Sequence, residues 1–171
     1  MELNLSPMQV LIMCGLPGSG KSTLAEELLE RYGKASDLAE AWYRGDPGII
    51  VSADNYFIGP DGQYRYIADE VVRAHLQCQA EFARELDRHR PLIIVDNTNL
   101  TAKEVETYYT PAKNKGYAVK VIRVLCDPAD AFCRQRHAVP DTEFEKMIGK
   151  WNRHDVKPEW DVVDYATAKA A

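Results

Sequence analysis

Gly15 to Ser22 reads GLPGSGKS, three glycines followed by a lysine and a hydroxyl at the spacing G-x-x-x-x-G-K-[ST]. Glycine lets a backbone wrap closely around an anion, and the N–H groups of such a loop then point at phosphate oxygens. A helix that starts where the loop ends adds its positive dipole end. In this pattern Gly15, Leu16, Pro17, Gly18, Ser19 and Gly20 form the cradle. Lys21 reaches the outer phosphates, and Ser22, with Thr23 beside it, offers a hydroxyl to Mg²⁺. The chemistry called for is the binding of a nucleoside triphosphate with its metal.

Two carboxylates stand where they could act on that ligand. Asp54 follows the short apolar run Ile49–Val51, and Asp96 ends the run LIIVD. In open α/β sheets ligands sit beyond the carboxyl ends of the strands. There, Asp54 can accept the proton of an attacking hydroxyl, or it can simply cap a turn. Asp96 has the form of a Walker-B aspartate that holds Mg²⁺ directly or through water, or it serves the turn. Asn97, Thr98 and Asn99 follow as short polar groups suited to hydrogen bonding in the crevice. In CRQRHAVP, Arg134, Arg136 and His137 stand at a helix end before a proline. They suit a closing lid that neutralises charge on a transferring phosphate, and they also complement a helix dipole.

The elements that must carry these residues alternate. Gln9–Cys14 reads as a buried strand and Lys21 onward as a helix, with Leu24, Leu28 and Leu29 on one side and a stop at Gly33. Residues 33–48 form a polar connection with room for a helical turn. Ile49–Ser52 is a second strand. The spacing predicts a helix over 69–88 that buries Val72, Leu76, Ala80, Ala83 and Leu86. A third strand at 92–96 leads to a helix over 101–115, capped by Thr101 with Glu104 and broken or kinked by Pro111. A fourth strand spans 117–125. A helix starts at Pro128, and another is capped by Thr142 with Glu145. The expected fold is α/β: a three-layer P-loop NTPase fold with a central parallel sheet flanked by helices and a small Arg-bearing lid. Residues 1–160 form one domain, and 161–171 read as a frayed tail.

The 171 residues carry a net charge of −5, which argues against a general nucleic-acid coat protein. Residues 1–70 hold 5 basic and 11 acidic side chains, and 71–171 hold 16 and 15, so an anion-binding surface draws on the second half. The four cysteines form no C-x-x-C pair, so neither a zinc site nor a disulfide framework is indicated, and buried, reduced thiols are expected. No apolar run is long enough to span a bilayer and no signal peptide is evident, so the expectation is a cytoplasmic protein without membrane contact.

The ordered set GLPGSGKST, SADNYF, IIVDNTN and R-x-R-H-A-V-P resembles the polynucleotide-kinase-like P-loop kinases, with their AAA-type ATP-binding domain. A kinase-like domain of animal ubiquitin-ligase-binding proteins is similar further still, through Asp61-Gly62-Gln63-Tyr64, Ala74-His75 and His154-Asp155-Val156. The resemblance covers roughly residues 9–157. It implies ATP- and Mg²⁺-dependent phosphorylation of a 5′-hydroxyl on DNA or RNA, with a nucleic-acid 5′ end as partner. It implies Asp54 as general base, Lys21 on phosphate, Ser22 and Asp96 on Mg²⁺, and Arg134, backed by Arg136, as the lid arginine. Phage-type members carry an arginine three residues after the base, where this chain has Phe57. Arg65, Arg73 and His75 are candidate replacements, and Tyr56, Phe57 or Tyr64 could stack on a base. Two further readings fit the same residues: a kinase acting on a nucleoside, another small alcohol or a hydroxymethylated base in DNA, and a non-catalytic ATP-binding switch.

Overall fold

The computed structural model describes residues 2–33, 48–136 and 139–167. The helical turn expected within 33–48, and His137 of the lid, lie outside the described residues. Five strands form one parallel sheet: β1 (Gln9–Cys14), β2 (Gly48–Val51), β3 (Leu92–Asp96), β4 (Ala118–Leu125) and β5 (Asp161–Ala166), in the order β2-β3-β1-β4-β5. The chain builds β2 and β3 on one side of β1, then crosses to place β4 and β5 on the other. A crevice is expected at the carboxyl ends on either side of such a crossing.

The sheet is covered on both faces because its central strands alternate between two apolar layers. Val10, Ile12 and Cys14 pack against α2 (Val71–Asp87) and α3 (Ala102–Asn114), through Ala74, Cys78, Phe82, Val105 and Tyr108. Leu11 and Met13 pack against Leu24, Ala25 and Leu28 of α1 (Lys21–Tyr32). A third cluster joins Leu16 and Leu100 to Ala131 of α4 (Pro128–Arg134) and Phe144 of α5 (Asp141–Trp151). Burying Phe144 there contributes about 1.5–3 kcal/mol, so the lid helices are seated on the phosphate loop by packing of their own.

Four local expectations are corrected. The expected frayed tail is a strand over Asp161–Ala166: Arg123 forks onto Asp164 at 2.7 and 2.6 Å, and Lys120 pairs with Asp161. These cross-strand cations neutralise the two acids that made the segment look like a solvated tail. On α2 the buried stripe is Ala74, Cys78, Phe82, Glu85 and Leu86, whereas Val72 and Leu76 are exposed. The helix carries two apolar stripes of the same period, and the one with Ala74, Cys78 and Phe82 packs on the sheet. α3 is not broken at Pro111 and runs on to Asn114, with the expected capping box of Thr101 and Glu104 in place. α5 starts two residues earlier than expected, after Pro140, so Thr142 lies inside the helix and is not its N-cap.

Candidate active site

The phosphate loop joins β1 to α1. Gly18 and Gly20 have φ of 77° and 97°, a region that only glycine enters freely. A Cβ on Gly18 would also lie 2.0 Å from the carbonyl oxygen of Ala131, so this glycine lets α4 close onto the loop. Lys21 is the first residue of α1 and is 7 % exposed; its Nζ curls back to donate to the Leu16 carbonyl at 2.8 Å. Burial pushes the Lys21 ammonium well below the usual lysine range, and the charges of Asp96 and Asp54 resist that fall. The Ser19 hydroxyl is fully buried and without a partner among the described residues. A buried hydroxyl and a desolvated cation inside one loop match a phosphate chain, whose oxygens would satisfy both.

Asp96 ends β3, immediately beside β1. Burial pushes its carboxyl up, against the hydrogen bond from the Ser22 hydroxyl and the charge of Lys21. The pair offers one hydroxyl and one carboxylate oxygen, the hard donors that Mg²⁺ takes while keeping water and phosphate oxygens for its other positions. The residues therefore fit the metal.

Asp54 lies one strand further out, on the single 3₁₀ turn Ala53–Phe57 that follows β2. Its position is fixed by cross-ties. The Ser52 hydroxyl accepts from the Asp54 N–H at 3.2 Å and donates to the Asp96 carbonyl at 2.8 Å. The Ala53 N–H donates to the Asn97 side chain at 2.9 Å, and Asn97 donates to the Tyr108 hydroxyl at 3.1 Å. Asn99 donates to the Met13 carbonyl at 2.8 Å, and the Thr98 carbonyl accepts from the Gly15 N–H at 2.9 Å. Asn97 and Asn99, expected to face the crevice, are buried ties between strand ends. They tie the tips of β2, β3 and β1 to one another, and Asp54, Asp96 and Lys21 act on one another electrostatically.

Arg134 ends α4 on the far side of the loop. Its Nη2 lies 2.6 Å from Cys126 Sγ and its Nε donates to the Asp130 carbonyl at 3.2 Å. Arg136 follows, exposed. Cys14 and Cys78 are buried thiols as expected, whereas Cys133 is exposed and Cys126 half-buried; all four are free.

A family model described as "AAA domain" matches residues 10–146. The chain belongs to the AAA-domain family. It is 33 % identical over 150 residues to human NEDD4-binding protein 2, an alignment that takes in 84 % of this chain and 8 % of that protein. The chain thus spans less than a tenth of that relative's length. Among solved structures, a gluconokinase from Sinorhizobium meliloti 1021 superposes with a TM-score of 0.60 at 14 % identity, covering 98 % of this chain and 86 % of that one. A chain of the Pnkp1/Rnl/Hen1 RNA repair complex superposes with a TM-score of 0.62 at 16 % identity, covering 89 % and 46 %. The fold is that of a P-loop kinase.

The far wall of the site departs from several sequence expectations of this AAA-domain chain. Phe57 is buried in the core and meets Tyr56, Tyr64 and Tyr66 at ring-centroid distances of 5.3, 5.9 and 5.2 Å, so it is no platform for a base. Tyr66, which sequence reasoning passed over, is the exposed ring of the group. Arg65 is forked onto Asp61, and Arg73 is paired with Glu70, which also accepts from the Tyr56 hydroxyl. Of the three candidate replacements for the missing arginine, Arg65 and Arg73 are therefore already matched to carboxylates, and His75 is exposed on α2. Among the described residues no helix is long and apolar enough to cross a membrane.

Proposed function

We propose that this chain transfers the γ-phosphate of ATP to the 5′-hydroxyl of a DNA or RNA end. The observation that carries the reading is the placement of Asp54: a carboxylate at a strand tip, linked from its backbone N–H through the Ser52 hydroxyl to the Asp96 carbonyl, and within the field of the buried Lys21. A module that only bound ATP would have no use for a carboxylate held there. The motif order of the polynucleotide-kinase-like proteins and the fold shared with a chain of an RNA repair complex support the same acceptor.

In this reading Lys21 leaves the Leu16 carbonyl for the phosphate oxygens, and the loop N–H groups and Ser19 complete their hydrogen bonding. Ser22 and Asp96 would hold Mg²⁺, which supplies neutralising charge to the phosphates. Asp54 accepts the proton as the O5′–H bond breaks; the O5′–P bond forms while the bond to the ADP oxygen breaks. In a loose phosphoryl-transfer transition state the main contribution of such a carboxylate is to aim the hydroxyl. Arg134 turns from Cys126 toward the transferring group, with Arg136 beside it.

A second reading, a small hydroxyl acceptor such as a nucleoside, is favoured by the charge of the far wall. Asp54, Asp61, Asp69 and Glu70 line residues 54–70, and Arg65 there is matched to Asp61. The test is transfer of γ-labelled phosphate to a panel of 5′-hydroxyl DNA and RNA oligonucleotides, free nucleosides and DNA with hydroxymethylated bases. Label on the oligonucleotide 5′ ends supports the proposal. Label confined to nucleosides or to the modified base moves the acceptor and keeps the fold.

A further inference from the structure

Residues 57–65 fold back on themselves beside Asp54. Ile58 and Tyr64 form an antiparallel bridge, the Arg65 N–H donates to the Phe57 carbonyl at 2.8 Å, and the Gly59 N–H donates to the Gln63 carbonyl at 2.9 Å. The turn is clasped from outside: Arg65 forks onto Asp61, and the Gln63 N–H donates to Asp61 at 3.1 Å. This hairpin brings a residue ten positions along the chain back over the strand tip. The Tyr64 hydroxyl donates to Asp54 Oδ1 at 3.2 Å. The ring is packed edge-on against buried Phe57, so it cannot swing away without opening that contact. The Asp54 N–H is bonded to the Ser52 hydroxyl, which fixes the backbone, while the orientation of the carboxylate is set by what its two oxygens meet.

We propose that Tyr64 is a positioning residue that selects the reactive orientation of the Asp54 carboxylate. The inference rests on Asp54 being the base. A carboxylate has two oxygens; Tyr64 engages Oδ1 and so orients Oδ2 for the attacking hydroxyl. Such second contacts are worth more than their own strength, because a misaligned base forfeits the advantage of a held geometry. The charged and titratable groups facing Asp54 come from several elements: Lys21 of α1, Asp96 of β3, Cys78 of α2 and Tyr64 of the hairpin. Among them, Tyr64 reaches the Asp54 carboxylate with a side-chain hydrogen bond. Burial and the neighbouring Asp54 charge both raise the Tyr64 phenol well above its ordinary pKa, so it remains a donor at neutral pH.

The test is a double-mutant cycle of Tyr64→Phe and Asp54→Asn, with a 5′-hydroxyl DNA oligonucleotide as acceptor. It is read as kcat and KM, together with ATP affinity and melting temperature. Tyr64→Phe alone is expected to lower kcat about 10-fold with KM for ATP and the melting temperature unchanged. In the Asp54→Asn background it is expected to have no further effect. Equal losses in both backgrounds, or a loss that follows the melting temperature, would mean that Tyr64 is structural and would overturn the proposal. If Asp54→Asn leaves kcat intact, the base assignment fails first. A second readout needs no acceptor. With the tyrosine ring carbon that bears the hydroxyl labelled with ¹³C, the Tyr64 signal should shift in Asp54→Asn; an unmoved signal would refute the contact.

Discussion

Gly15–Ser22 and residues 52–66 meet at the same end of the sheet, yet they are built differently. The phosphate loop is buried, and it leaves polar groups uncommitted: the Ser19 hydroxyl has no partner among the described residues, and Lys21 borrows a backbone carbonyl. The wall around Asp54 is largely exposed and commits its polar groups to one another, through Asp61 with Arg65, Glu70 with Tyr56 and Arg73, and Tyr64 with Asp54. A ligand as uniform as a phosphate chain can be anticipated by fixed, desolvated donors. A variable acceptor meets a surface that closes on itself until displaced. The comparison predicts that substitutions on the loop side change ATP binding and transfer together, and that those on the Asp54 side change transfer alone.

The largest effect is expected at Asp54. Asn in its place should lower transfer by about 10²–10⁴-fold, the usual contribution of a general base, with ATP affinity kept. Initial rates beside a direct binding titration check this, and a parallel loss of ATP binding would erase the distinction between the two regions. Lys21→Ala should cost about 10²–10³-fold and weaken ATP binding as well. Wild-type transfer should also decline on the alkaline side at a pH below the ordinary lysine range, because burial lowers the Lys21 pKa. A pH–rate series on wild type, with the Lys21→Ala residual rate lacking that decline, tests the assignment. Arg134→Ala should reduce kcat roughly 30-fold with little change in nucleotide affinity, if its charge is needed only as transfer proceeds. Measurement of kcat against ATP KM separates this from a binding role.

The smallest effect concerns the helix that backs the Asp54 wall. Glu85 is buried on α2 and bonded to Arg90 at 2.8 Å and Arg88 at 3.0 Å. Burial raises its carboxyl, but the bonds and charges of Arg90 and Arg88 outweigh that and hold it below the usual range. A depressed carboxyl contributes stability above the unfolded pKa and loses it as pH falls through the folded value. Glu85→Gln should therefore cost about 1.5 kcal/mol at neutral pH, with the gap to wild type narrowing in acid. Denaturant melts at two pH values would show it, and ATP affinity at neutral pH should be unchanged.

The legible parts of the molecule were those whose information is local. The glycine spacing of Gly15–Ser22, the strand before it and the helix after it lie within one short segment, and so does the capping box at Thr101. β5 was missed because Asp161 and Asp164 are matched by Lys120 and Arg123, some forty residues away in sequence. The buried face of α2 was misread because Val72 and Leu76 repeat with the same period as Ala74 and Cys78, and periodicity does not say which stripe meets a sheet. Around Asp54 the residue types were visible, but the hairpin that returns Tyr64 to it depends on the turn at 59–63 and the clasp of Arg65 with Asp61. Asn97 and Asn99 were read as crevice groups because sequence shows a polar side chain without its partner; the Ala53 N–H and the Met13 carbonyl supply those partners.

The most direct measurement offers the protein γ-labelled ATP, Mg²⁺ and one oligonucleotide in two forms, with a 5′-hydroxyl and with a 5′-phosphate. The account predicts label on the first form only, at its 5′ oxygen. Equal labelling of both forms, or ATP consumption with no label on the hydroxyl end, would contradict it.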